Sequence, residues 1–224
     1  MDFDLGAVIP ARLESSRVRH KVLQSLDGRE ALIERKVRQL RAVLPADRVV
    51  VNTESEIIAD LGRKAGASII YRDSYFSDGH RASFSELIVH VVENLNFEHV
   101  AWTPCVVPFF ESDDFLSSFN NYRRHVLNGC YDSLVSVVPV KSYLWSEHGP
   151  LNYEASKSHV ISQELPDWYS VTNGNYMAPK TVMLDREYLL GDTTFLDVKP
   201  EICGIDIDTV VDLQIARAIS GHHR

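Results

Sequence analysis

Three cysteines in 224 residues are too few, and too irregularly spaced, to staple this chain together. Cys105, Cys130 and Cys203 are odd in number and lack metal-ligand spacing, so they read as free thiols rather than as a disulfide framework or a zinc site. No apolar run approaches the roughly twenty residues of a membrane span. The first residues show no basic stretch leading into an apolar one, and the expectation is a soluble, cytoplasmic protein. Positive charge is scarce as well: 23 Lys and Arg against 31 Asp and Glu leave a net charge of −8, which argues against a general nucleic-acid binder. Glycine-rich phosphate motifs are missing, both the P-loop pattern and the dinucleotide fingerprint. Nine histidines form no ligand set; only His80, beside Asp78 and Arg81, stands in a chemical setting. Without repeats, low-complexity tracts or a linker, residues 1–224 are expected to form one domain.

What is present is an alternation of short apolar runs with helical periods. Leu5–Ile9 reads as a buried strand, followed by Ile33, Val37, Leu40 and Leu44 at helical spacing. Arg48–Asn52 is a second strand, and Thr53-x-x-Glu56 a capping box before a helix that ends at Gly66. Ile69–Tyr71 is a third. Ser83-x-x-Glu86 opens a helix marked by Phe84, Leu87, Ile88, Val91, Val92 and Leu95. Val100–Trp102, a helix through Phe115, Phe119, Tyr122 and Val126, and a strand at Leu134–Val140 continue the series. The alternation predicts an α/β fold with a mainly parallel sheet flanked by helices. Regularity is lost from Lys141 to Trp168, and the excursion over about 141–170 could pack on another subunit, act as a lid or cover the core.

The most informative stretch is Gly204–Leu213. Its apolar-acid alternation has a two-residue period, so Asp206 and Asp208 are expected side by side at the end of a strand, with Leu213, Ala216 and Ile219 opening a helix. Paired carboxylates repel unless a proton or cation relieves them, and Mg²⁺ bound by one or two carboxylates plus substrate phosphates is a common relief. Alternatively Thr209 caps the helix and the acids, Asp212 included, favour its N-terminus.

After the first strand the chain reads Pro10-Ala-Arg-Leu-Glu-Ser-Ser-Arg-Val-Arg-His-Lys21. Arg12, Arg17, Arg19 and Lys21, interleaved with Ser15 and Ser16, place charge-assisted donors where a polyphosphate could bind, or else form a solvated basic surface. Taken with the late acids, the ordered set resembles the cytidylyltransferases that activate acidic sugars as CMP derivatives. Acylneuraminate enzymes come first, and 3-deoxy-manno-octulosonate enzymes are close relatives. The resemblance rests on Arg12, Ser15, Arg17 and Lys21, on Ala67 and Arg72, on Ser77-Asp78, on Asn173-Gly174 and on Ile205–Leu213.

The resemblance implies a single-domain, nucleotide-diphospho-sugar-transferase-like, Rossmann-like fold, a homodimer, and transfer of CMP from CTP to an acidic sugar with Mg²⁺. Arg12, Lys21 and Asp208 would be catalytic. Ala11, Arg12, Ser15, Arg17, Lys21, Arg72 and Asp78 would meet the nucleotide, Lys141, Asn173 and Gly174 the sugar, and Asp206 and Asp208 the metal. A nucleotidyltransferase of this fold for another sugar or nucleotide, or a binding relative without turnover, are the alternatives. The chain departs from the family at Pro104-Cys-Val-Val-Pro108, where polar residues are usual, at Arg19-His20, where Pro-Gly is common, and at Val22, where Asn is common. It also departs at Ser158–Pro166, which would leave the sugar carboxylate to Lys141, His159 or another group, or else mean a different acceptor. Val106 and Val107 predict an acceptor pocket less polar than usual.

Overall fold

The computed structural model describes residues 3–78 and 81–222. Strands β1 (Leu5–Pro10), β2 (Val49–Thr53), β3 (Ser68–Tyr71) and β4 (His99–Trp102) run parallel, linked by helices α1 (Leu32–Arg41), α2 (Glu56–Ala65) and α3 (Phe84–Glu93). Then follow α4 (Ser112–Tyr122), β5 (Ser133–Val140), a small hairpin of β6 (Trp145–Ser146) and β7 (Gly149–Pro150), β8 (Trp168–Pro179), α5 (Lys180–Arg186), β9 (Thr194–Val198) and α6 (Val210–His222). The seven-stranded sheet has the order β3-β2-β1-β4-β8-β5-β9, and only β8 runs against its neighbours. None of the described helices is long and apolar enough to cross a membrane.

Strand periodicity sorts the core into layers. Ala7 and Ile9 of β1 pack with Ile33, Val37, Ile58 and Phe115 on one face, whereas Val8 packs with Ile88, Val91 and Met183 on the other. A third cluster joins Val18 and Leu26, from the segment after β1, to Ile207, Leu213 and Ala216. That contact docks the start of α6 beside the basic loop and so brings distant parts of the sequence to one end of β1.

Two of the local signals hold. Ser83 and Glu86 form the expected reciprocal box, and Gly66 ends α2 at φ 96° in the left-handed region. Thr53-x-x-Glu56 forms no box: α2 starts at Glu56 itself, and the Thr53 hydroxyl accepts instead from Ser55 N–H at 3.1 Å. Phe84, counted with the apolar face of α3, is 51% exposed at a cleft mouth. The expected strand at Gly204–Asp208 is absent. Glu201–Gly204 forms a 3₁₀ turn, and the extended segment after it is tied by Ile207 N–H to Val106 C=O at 2.9 Å rather than by a strand ladder. Asn173-Gly174, residue types that suit a turn, do not form one. They lie inside β8, where its pairing with β5 shifts register between Val135 and Val137.

Candidate active site

The parallel strands β1 and β4 are neighbours whose connections leave in opposite directions across the sheet, and ligands of open α/β sheets bind at the carboxyl ends of strands at such a switch point. A cleft with three lobes opens there, and Arg12 lines all of them. One lobe, of about 440 Å³, is walled by Phe84, Leu87, Trp102, Tyr176, Tyr188 and Leu189, with Arg72 and Asn173 at its polar side. A second, of about 660 Å³, lies between Arg12, Ser15, Glu54, Ser77 and Asp78. The third, of about 160 Å³, is bounded by Ser15, Arg17, Lys21, Pro104, Cys105 and Val106.

Two residues of the third lobe, Arg17 and Lys21, tie the basic loop to Asp208. Asp208 Oδ1 accepts from Arg17 Nη2 at 2.8 Å and from Lys21 Nζ at 3.1 Å. Lys21 follows His20, which adopts φ 47°; this left-handed conformation favours glycine, the residue common at that position in the resembling family. Thr209 does cap α6: its hydroxyl accepts from Asp212 N–H at 3.3 Å, while Asp212 Oδ2 accepts from Thr209 N–H at 2.6 Å and Asp208 N–H at 3.1 Å. The helix-cap reading and the paired-acid reading are therefore compatible, since Asp212 orients the backbone of Asp208.

Asp206 is set by a relay across the cleft. Burial pushes the Tyr176 phenol up to about 12, so it remains a donor, and it donates to Asn173 Oδ1 at 2.8 Å. That leaves Asn173 Nδ2 facing Asp206 Oδ2, 2.5 Å away. The other oxygen, Asp206 Oδ1, is buried without a hydrogen-bond partner among the described residues. Burial raises the Asp206 pKa, Asn173 opposes the rise, and the charge of Asp208 adds to it. An orphaned hard oxygen next to a second carboxylate fits Mg²⁺. No group of three or more His, Cys, Asp or Glu suited to a metal occurs among the described residues, so phosphates would have to complete the shell.

Other candidates are placed differently. Arg72 borders the cleft, but its donors are engaged by Ala11 C=O, Asn52 Oδ1, Glu54 Oε2 and Ser77 Oγ at 2.8–3.2 Å. Ala11 is buried, and its carbonyl faces Arg72. Gly174 is buried against Phe110, where an added Cβ would approach to 2.4 Å, so its smallness serves packing rather than contact with a sugar. Lys141 lines none of the three lobes and instead bonds Leu165 C=O at 2.9 Å and Asp167 at 2.8 Å. His159 stacks on Tyr143 within the 141–170 excursion. His80 and His223 lie outside the described residues. Val107 is fully buried in the core, its carbonyl bonded by Lys36, and only Val106 reaches the cleft. The apolar lobe owes its character to the aromatic and leucine walls named above. Sequence reading missed those walls, and also Glu54, whose only signal was its place directly after a strand.

The cytidylyltransferase family profile matches residues 7–113. A 3-deoxy-manno-octulosonate cytidylyltransferase of Rickettsia felis is 31% identical over 137 residues, 61% of this chain and 53% of that protein. The Rickettsia bellii protein of the same name is 30% identical over 138 residues, covering 62% and 54%. The chain thus spans about half the length of the curated relatives it matches. Among solved structures, a CMP:2-keto-3-deoxy-manno-octonic acid synthetase complexed with CTP aligns with TM-score 0.70 and 15% identity, over 99% of this chain and all of that one. A 4-diphosphocytidyl-2C-methyl-D-erythritol synthase from Anaerococcus prevotii aligns with TM-score 0.67 and 13% identity, over 97% and 99%. These likenesses establish the fold over nearly the whole chain, and residues 7–113, which carry the basic loop, are similar to the cytidylyltransferase family.

Proposed function

We propose that this chain transfers CMP from CTP to an acidic sugar of the 2-keto-3-deoxy class and releases pyrophosphate. The observation that carries the reading is the meeting of Arg17 and Lys21 with Asp208 in a cleft at the β1/β4 switch point, beside an unpartnered carboxylate oxygen of Asp206. Arg12, Ser15 and Lys21 border space for the outer phosphates, and Arg17 stands with them. A hydroxyl of the acceptor attacks the α-phosphorus in line, the bond to the bridging oxygen breaks, and pyrophosphate leaves with both electrons of that bond. Phosphoryl transfer of this kind needs positioning and charge neutralisation rather than a covalent nucleophile. Cys105 suits that account, because burial pushes its thiol up to about 11 and leaves it unreactive. Mg²⁺ held by Asp206 and Asp208 would supply further neutralisation of phosphate charge.

The names of the relatives make 3-deoxy-manno-octulosonate the first acceptor to test, with N-acetylneuraminate second. The apolar walls around Trp102 and Tyr176 favour an acceptor that presents deoxygenated or acylated faces. One domain and a cytoplasmic setting complete the reading. A homodimer joined through 141–170 is supported by the exposed Trp145, Leu151 and Ile161. Pyrophosphate release measured with four nucleotides against 2-keto-3-deoxy sugar acids and methylerythritol phosphate tests it. Turnover confined to CTP with a sugar acid is expected; turnover only with methylerythritol phosphate, or CTP binding without turnover on any acceptor, rejects it.

A further inference from the structure

Glu54 belongs to none of the motifs above, yet its carboxylate joins three separate segments. Oε1 accepts from Leu13 N–H at 2.7 Å, and Oε2 accepts from the Ser77 hydroxyl at 2.5 Å and from Arg72 Nη2 at 3.2 Å. Arg72 carries the linkage on to Ala11 C=O at 3.0 Å, and Arg12 Nη1 returns from the loop to Ser77 C=O at 3.1 Å. Positions 11, 12 and 13 of the basic loop are thus each pinned to the ends of β2 and β3 or to the turn at 74–77. Glu54 also lines the 660 Å³ lobe together with Arg12 and Ser15. A carboxylate beside Arg12 and Ser15, which also line the lobe read as the phosphate space, opposes an anionic ligand electrostatically, so its presence calls for another role. Its charge offsets the buried guanidinium of Arg72, and its second oxygen fixes a backbone amide of the loop.

We propose that Glu54 is a positioning residue for the nucleotide: by holding the Leu13 amide and, through Arg72 and Ser77, the Ala11 carbonyl and the Arg12 guanidinium, it presets the loop that receives the outer phosphates. The inference rests on reading this cleft as the CTP site. Both carboxylate oxygens accept at once, and glutamine cannot reproduce this, because its amide nitrogen would face the Leu13 N–H or the Arg72 guanidinium, donor against donor. Aspartate keeps the charge but is one methylene short of spanning both sides.

The test is calorimetry of CTP and CMP binding to wild type, Glu54→Gln and Glu54→Asp, with thermal denaturation of each. Glu54→Gln is expected to reduce CTP affinity roughly tenfold more than CMP affinity, and Glu54→Asp to restore part of that difference. A melting temperature that falls while the CTP-to-CMP ratio stays at the wild-type value would reduce Glu54 to a structural brace and overturn the proposal. Should Glu54→Gln fail to fold, Ser77→Ala removes one arm of the clamp and keeps the charge pair; a smaller CTP-to-CMP ratio in that variant supports the proposal, and a wild-type ratio overturns it. A wild-type protein with no preference for CTP over CMP rejects the nucleotide reading and this inference together. A wild-type preference that survives Glu54→Gln rejects the inference alone.

Discussion

Asn173 Nδ2 lies 2.5 Å from Asp206 Oδ2 and leaves Oδ1 of the same carboxylate buried without a hydrogen-bond partner among the described residues. The amide steers one oxygen and frees the other. With Asp208 engaged by Arg17 and Lys21 nearby, the two acids differ in their surroundings and in their expected responses to substitution.

Asp208→Asn and Asp206→Asn should each lower kcat by about 10²–10³, in the range seen when preorganised charge is removed, with the fold retained. Asp208→Asn also releases Lys21 and Arg17, so its triphosphate affinity in the absence of Mg²⁺ should rise, whereas that of Asp206→Asn should not. Steady-state kinetics across a Mg²⁺ titration, with CTP calorimetry in chelator, measures both. Wild-type turnover in both variants would remove the acids from the reaction.

Lys21→Ala and Arg12→Ala should weaken CTP binding more than CMP binding, since the proposed partners are the outer phosphates. The preference for CTP over CMP should shrink by roughly 1–3 kcal/mol per lost charge-assisted contact. An unchanged preference in both variants would make the loop a solvated basic surface.

Gly174→Ala places a methyl group 2.4 Å from the buried Phe110 ring, and a loss of about 1–3 kcal/mol in unfolding free energy is expected. In a Phe110→Ala background the same change should have little effect, a non-additivity that urea denaturation of the four proteins reads directly. Equal losses in both backgrounds would contradict the packing role.

Lys36 is buried beneath the 104–108 segment, its ammonium bonded to Val107 C=O at 3.0 Å and lying 4.9 Å from the centre of the Phe115 ring. Burial depresses its pKa from 10.5 to about 8. The unfolded chain therefore holds this proton more tightly, and the stability that Lys36 contributes through its neutral form is full above pH 10.5 and lost as pH falls through about 8. The gap corresponds to on the order of 3 kcal/mol. The stability difference between wild type and Lys36→Met should shift toward wild type by that order between pH 7.5 and pH 10.5. A constant difference across that range would show that Lys36 titrates normally.

Much of the fold was legible because its signals are local or periodic. The box at Ser83 and Glu86 and the apolar period of α3 need no distant partner. The alternation at 204–208 misled because a strand needs a neighbour to pair with, and a periodic segment tied to Val106 by one bond looks the same in one dimension. Asn173-Gly174 carries turn chemistry, yet packing against Phe110 selected its glycine. The approach of Arg17 and Lys21 to Asp208 could be anticipated from residue type and order. Glu54 and the hydrogen bonds that engage Arg72 could not, because their meaning lies in contacts among three segments that a linear reading cannot join.

Lys21 and Asp208 stand 187 positions apart in the sequence, which bears on how the protein is made. The ribosome delivers the basic loop first and its acidic counterpart far later, so through the interval between them Arg17 and Lys21 lack their Asp208 partner. Residues 7–113, which carry the family match, supply the lining of two lobes and most of the other but not Asp206 and Asp208. On the proposed reading, a nascent or prematurely terminated chain would present the basic loop without the paired acids, and the two would come together only after the segment carrying Asp206 and Asp208 had been made and docked beside the loop.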